Sequence, residues 1–166
     1  MSVNNEYPVL DGIAPSWADI SVKITPKGAP LIEMKDIAAI KTGVTVEVGE
    51  QRGASGGRVL KRTTGSKKDE ASWTLYRSGY QKCIRGLKAV APKRGNQRLL
   101  TLVHFGIQVQ HTPPGDVEIY EYRVKGARIL GRQLDGTEGN DADQVEVPLS
   151  VAEIVDMIDG EEVVML

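Results

Sequence analysis

The sequence is poor in the residues on which most site chemistry depends. Its single cysteine, Cys83, excludes an intramolecular disulfide and leaves no thiolate cluster for zinc. Its two histidines, His104 and His111, lie seven positions apart in an alternating stretch, so a strand sends them to opposite faces where they share neither a metal nor a proton. Aromatic residues make up 5% of the chain, too few for a base-stacking platform. No apolar run approaches the roughly 20 residues that a membrane-spanning helix needs. Met1 to Asp11 lacks the basic and then apolar pattern of a secretory signal, which reads as synthesis in the cytoplasm without membrane contact. Catalytic signatures are missing as well. No serine sits in a nucleophile elbow, and Gly53-Ala-Ser-Gly-Gly57 neither ends in Gly-Lys-Ser/Thr nor opens a helix, as a phosphate loop must. The expectation is a protein that is no enzyme and binds no cofactor and no metal.

One sign of charge is also missing, region by region. From Gln133 to Leu166 there are ten acids and no Lys or Arg, whereas Arg52 to Arg98 holds thirteen Lys or Arg residues against two acids, Asp69 and Glu70. The net charge of −1 conceals this division. Solvated domains ordinarily intersperse the two signs, because large single-sign fields invite association. Two arrangements fit: the segments neutralise each other within one subunit, or basic surface on one copy meets acidic surface on the next, as in a head-to-tail polymer.

What is present favours strands. The chain of 166 residues is 40% apolar, enough for one compact domain spanning 1–166, and 18 glycines with 8 prolines suit many turns. Trp17–Thr25 alternates Ala18, Ile20, Val22 and Ile24 with polar residues, and Pro26-Lys-Gly28 makes a turn. Leu31–Ile40 is mixed and extended, and Val44, Val46 and Val48 mark a further strand. Ala71, Trp73 and Leu75 share one face of another. A helix follows, with Ser78 as N-cap, a stripe of Tyr80, Cys83, Ile84, Leu87 and Val90, some weakening at Gly86, and Pro92 at its end. Cys83 is then a small core residue. Val103–Val109 and a strand from Glu118 form a hairpin around Pro113-Pro-Gly-Asp116, with the alternation slipping at Gly126 in the manner of a bulge. Val145, Val147 and Leu149 begin another strand, and Val151–Met165 holds one or two more. Seven or eight strands with one flanking helix predict a mainly β fold, a β-sandwich or a partly closed β-barrel.

Two segments interrupt this rhythm. Gly49–Ser66 reads as a long glycine-rich loop whose basic residues Arg52, Arg58, Lys61 and Arg62, with Lys67 and Lys68 just after it, are candidates for an inter-subunit contact. These six cations carry +6 in a stretch, Gln51–Lys68, that has no acids, which leaves −7 for the rest of the molecule. The second is the acidic loop with Asp135, Glu138, Asp141 and Asp143. Its order does not follow the spacing of a helix-loop-helix calcium site, so it reads as an interface or lumen-facing loop. A basic loop on a small barrel also fits a nucleic-acid binder, but that loop has no aromatic residue to stack on a base.

The order of these features resembles phage tail tube proteins. Ser16-Trp-Ala-Asp-Ile-Ser-Val22 is similar to the family's opening strand, and the segment from Arg52 to Gly65 followed by Ala71-Ser-Trp-Thr-Leu-Tyr-Arg-Ser78 resembles its long loop, strand and start of the helix. Lys125-Gly-Ala-Arg-Ile-Leu-Gly131, Glu138-Gly-Asn-Asp-Ala142 and Val145-Glu-Val-Pro-Leu149 look like its closing strands. The resemblance implies a virion protein, assembled in the host cytoplasm, whose hexameric rings stack head to tail into a hollow tube that carries DNA as cargo. It extends to the tubes of contractile tails, secretion systems and bacteriocins. The partners it implies are further copies of the chain, the tail sheath, a tape measure protein, a baseplate initiator and a tail terminator. Within such a family the long loop crosses to neighbouring subunits. A terminator or other tail ring is the nearest alternative role.

Overall fold

The computed structural model describes residues 20–54, 57–112, 119–135 and 143–164. Trp17–Asp19 of the expected first strand, the Pro113–Asp116 turn, Glu138 and Asp141 lie outside the described residues. The strands are β1 (Ile20–Pro26), β2 (Ile32–Met34), β3 (Ile37–Arg52), β4 (Val59–Tyr76), β5 (Lys93–Arg94), β6 (Gln97–Arg98), β7 (Phe105–His111), β8 (Tyr120–Ile129), β9 (Gln133–Asp135), β10 (Gln144–Ser150), β11 (Glu153–Ile158) and β12 (Glu161–Val163). One helix, α1 (Arg77–Lys88), follows β4. Seven strands have six residues or more, in line with the sequence pattern, and the others are short additions at edges and turns.

All strand pairings are antiparallel, and ten strands form one sheet along the path β2-β1-β7-β8-β10-β4-β3, with β11 attached to β8, β12 to β11 and β9 to β10. The path folds over at β8. Its first half pairs with β7 and β11, but Arg128 and Ile129 pair with Ser150 and Leu149 of β10. The bend sits where the alternation slips: Ile107 opposes Val124 while Phe105 opposes Ala127, so β8 carries an extra residue at Gly126. Gly126 has φ +62°, and a Cβ there would stand 2.8 Å from that of Ala152, so both backbone and space call for glycine. The result is a sandwich of two facing layers. Among the described residues it does not close into a barrel, because β3 remains an edge with β4 as its single partner.

Alternation decides which residues fill the space between the layers. Val22 and Ile24 of β1, Ile107 and Val109 of β7, Trp73 and Leu75 of β4, and Val145 and Val147 of β10 are buried at every second position. Trp73, 1% exposed, stacks on Phe105 of the opposite layer at 5.9 Å between ring centroids. Helix α1 covers one end with Cys83 and Leu87 buried, and burial pushes the Cys83 thiol up to about 12, so it stays protonated as a core residue. Gly86 has a packing reason: a Cβ there would meet Ile32 Cδ1 at 2.0 Å, so the helix lies directly on β2. Ser78 is not the N-cap. Tyr76 holds that position, and Ser78 Oγ donates to Asp36 Oδ2 at 2.8 Å, which ties the first turn to the start of β3. The helix stops at Lys88, four residues before Pro92.

The registers give the molecule two distinct ends. Ile20, His111 and Tyr120 align at one end, and Pro26, Phe105 and Ala127 at the other. Gly28, just after β1, lies against Val90, so α1 belongs to the second end, as do Tyr76 and its partner Gln144. The β11–β12 turn belongs to the first, since Met157 opposes Glu121 and Ile158 opposes Glu161.

Candidate functional site

From the first end a two-stranded arm projects. Strands β3 and β4 stay paired from Thr42↔Ala71, where the buried layer ends, out to Arg52↔Val59. Ten residue steps at about 3.3 Å each make this arm about 33 Å long. Gly49–Ser66 is therefore not a loop, as its composition suggests. It is the outer part of a hairpin, closed by a hydrogen bond from Gly53 N–H to Arg58 O of 3.1 Å, with Gly57 at φ +65°. Its register shifts twice, between Val46↔Lys67 and Val48↔Thr64 and again between Gln51↔Lys61 and Arg52↔Val59. Among the residues from Gly43 to Glu70 whose burial is described, none is buried as a whole, and Asp69 at the base is the one member of this ribbon's ion pairs whose side chain is covered.

The arm extends the sandwich's inner face into solvent. Ile40 pairs with Trp73, so Thr42, Val44, Val46 and Val48 continue the face that buries the tryptophan. Val44 and Val46 are half-covered, and Val48 is 53% exposed. An isolated two-stranded ribbon is marginal in water, because neither face nor edge is covered. Its base is anchored by Asp69, whose side chain is 5% exposed. Asp69 Oδ2 accepts a hydrogen bond from Ile154 N–H of β11 at 3.1 Å and faces Lys67 Nζ at 3.4 Å. Beside this anchor an open cleft of about 200 Å³ is lined by Thr42, Val44, Tyr120, Ile154, Asp156 and Val163. Tyr120 donates to Asp156 Oδ1 at 3.3 Å, and burial pushes the neighbouring Tyr122 hydroxyl up to about 12.

The arm's cations are largely neutralised on the arm itself. Glu50 faces Arg52 at 3.3 Å and Arg62 at 3.6 Å, Lys67 faces Asp69, and Lys68 pairs closely with Glu70, which raises the lysine's pKa. Four of the six candidate cations thus have a carboxylate partner, and Arg58 and Lys61 have no ion pair among the described residues. With Glu47 included, the hairpin from Gly43 to Glu70 sums to +2. A phosphate clamp needs cations available for counterion release, and this arm has few to offer. The acidic candidates are placed differently again. Asp135 ends β9 opposite Gln144, and Asp143 Oδ2 faces Arg77 at 3.2 Å while its carbonyl accepts from Arg77 N–H. Asp143 thus fastens the start of α1.

Sequence reasoning did not single out the surface of α1 and the β5–β6 ribbon. Arg77, Lys82, Arg85, Lys88, Lys93, Arg94 and Arg98 are all exposed there. Among the described residues Arg77 is the one cation of this group with an ion pair, and Arg98 donates to Ala91 O at 2.9 Å. The available signal was the absence of any acid from Ala71 to Gly115.

No family model matches the chain, and no curated protein matches it either. Solved structures match in fold. A chain from the sheath/tube terminator of an extracellular contractile injection system (PVC, extended state) superposes with a TM-score of 0.62 at 11% identity, covering 90% of this chain and all of its own, 100%. A chain from the tube-terminating cap of the anti-feeding prophage gives 0.58 at 11% identity, over 93% of this chain and 97% of its own. The SPP1 tail tube gives 0.57 at 18% identity, over 86% of this chain and 79% of its own. The chain has the fold of these tube and terminator proteins.

Proposed function

We propose that this chain is a structural subunit of a phage tail or related injection device, not an enzyme, and that it polymerises as stacked rings into the tail tube through which DNA passes. The observation that carries this reading is the arm. A ribbon of this length, with valines on one face and an open edge along β3, leaves apolar surface and backbone groups uncovered in a lone subunit. Further copies of the same chain cover both at once, by strand addition at the edge and by packing on the valine face. The fold shared with tube and terminator proteins supports the same role. A sheath, a tape measure protein, a baseplate initiator and a terminator are the partners that such a tail supplies.

The test is hydrogen exchange of the arm amides, 43–52 and 59–70, in the free subunit and in the assembled form. Exchange is expected to be fast in the free subunit and strongly slowed after assembly, while β7 and β10 are protected in both. Equal exchange in the two forms contradicts a role for the arm in assembly. The likeness to terminator chains favours one second reading, a ring that caps the tube. A terminator closes a single ring that never elongates, so the length of the assembly separates the two.

A further inference from the structure

We propose that the basic face of α1 and the β5–β6 ribbon docks on the acidic β11–β12 hairpin of the next copy, so that electrostatics fixes the direction of stacking. This rests on the tube reading above and locates one of its contacts. From Arg77 to Arg98 the chain carries seven cations and no acid; from Glu153 to Val163 it carries five acids and no cation. The strand registers put these two surfaces at opposite ends of the sandwich, so they cannot neutralise each other within one subunit. Charging the four acids of the β9–β10 connection (Asp135, Glu138, Asp141, Asp143) against the basic end still leaves it at +3, and charging Lys125 against its partner Glu162 leaves the acidic hairpin at −4. Copies set end to end in one orientation juxtapose opposite signs, and copies set head to head juxtapose like signs, which repel.

The acidic surface is presented rigidly. Asp159 and Gly160 form a two-residue turn with φ of 51° and 80°, which holds the exposed Asp159 and Glu161 at the tip. Other acids of the hairpin are partly engaged: Asp156 accepts from Tyr120, and Glu162 faces Lys125 at 2.5 Å. Exposed apolar residues flank both surfaces, with Tyr120, Ile158 and Val163 beside the acids and Leu102, on a 3-10 turn, near the basic helix. A mixed apolar and charged surface suits a protein partner better than a phosphate backbone. The chain itself supplies the complement.

The experiment measures the critical concentration for polymerisation of the full chain by sedimentation, with two charge-reversed variants. One is Lys82→Glu with Arg85→Glu and Lys88→Glu; the other is Asp159→Lys with Glu161→Lys. All of these side chains are exposed, so thermal unfolding should stay near that of the parent chain. Each variant alone is expected to raise the critical concentration on the order of tenfold or more, because every contact then sets like charges together. An equimolar mixture is expected to polymerise again, since the reversed helix of one variant meets the reversed hairpin of the other. Added salt should raise the parent's critical concentration. Should a reversal fail to fold, the neutral set K82Q, R85Q and K88Q is expected to shift in the same direction by less. Variants that polymerise like the parent, or a mixture no better than its components, overturn this contact while leaving the tube reading intact. A parent chain that never polymerises overturns both.

Discussion

Removing the arm is expected to abolish polymerisation and leave the sandwich folded. Val46 and Lys67 are paired across the arm, so an Asn-Gly turn joining them in place of residues 47–66 closes a short hairpin of standard geometry and keeps the Lys67–Asp69 ion pair. The cut keeps Asp69 and its bond to Ile154 N–H, and removes no described residue that is buried. The core therefore loses almost nothing, while the assembly loses the outer part of the ribbon, six residue steps or about 20 Å by its strand rise. Sedimentation should show the shortened chain as a small species at every concentration, with an unchanged circular dichroism melting curve. Tubes built from the shortened chain would refute the role given to the arm.

The largest single-residue loss of stability is expected at Trp73. It is 1% exposed, spans the sandwich and stacks on Phe105 of the facing layer. Trp73→Ala removes that bridge and leaves a cavity, which costs about 3–5 kcal/mol. Total stabilities of single domains are about 5–15 kcal/mol, so the alanine variant should melt far below the parent or fail to fold at 37 °C. Trp73→Phe should cost much less. It retains the stacking, and the indole Nε1 it removes is buried without a hydrogen-bond partner among the described residues. Denaturant titration of both variants checks the ordering, and an alanine variant as stable as the phenylalanine one contradicts it.

The parts of the fold that bury a face were legible in the sequence. Val22 and Ile24, Trp73 and Leu75, and Val145 and Val147 alternate because one side of each strand meets the core. The bulge at Gly126 was legible because it shifts that alternation by one residue. The arm was not, since a ribbon exposed on both faces has no burial to impose a pattern. Its glycines and basic residues then read as a loop, although Val44, Val46 and Val48 marked its inner third.

The fold also regroups the candidate charges. Charges were grouped by position along the chain, whereas strands pair them across the ladder and at every second residue. Glu50 reaches Arg62 across the hairpin, and Lys67 meets Asp69 on one face as Lys68 meets Glu70 on the other. The hairpin is consequently close to neutral, and the uncompensated positive surface is the helix and ribbon that follow it. The charge division is therefore resolved within the subunit only at the arm. The arm is neutralised within the subunit, and the two ends of the sandwich are not.

Negative-stain microscopy of the purified protein, concentrated and supplied with a tail initiator complex, shows whether the chain polymerises into a tube. Hollow tubes of uniform width with a regular axial repeat, lengthening as subunits are added, are the expected result. A monodisperse monomer under all of these conditions would contradict it.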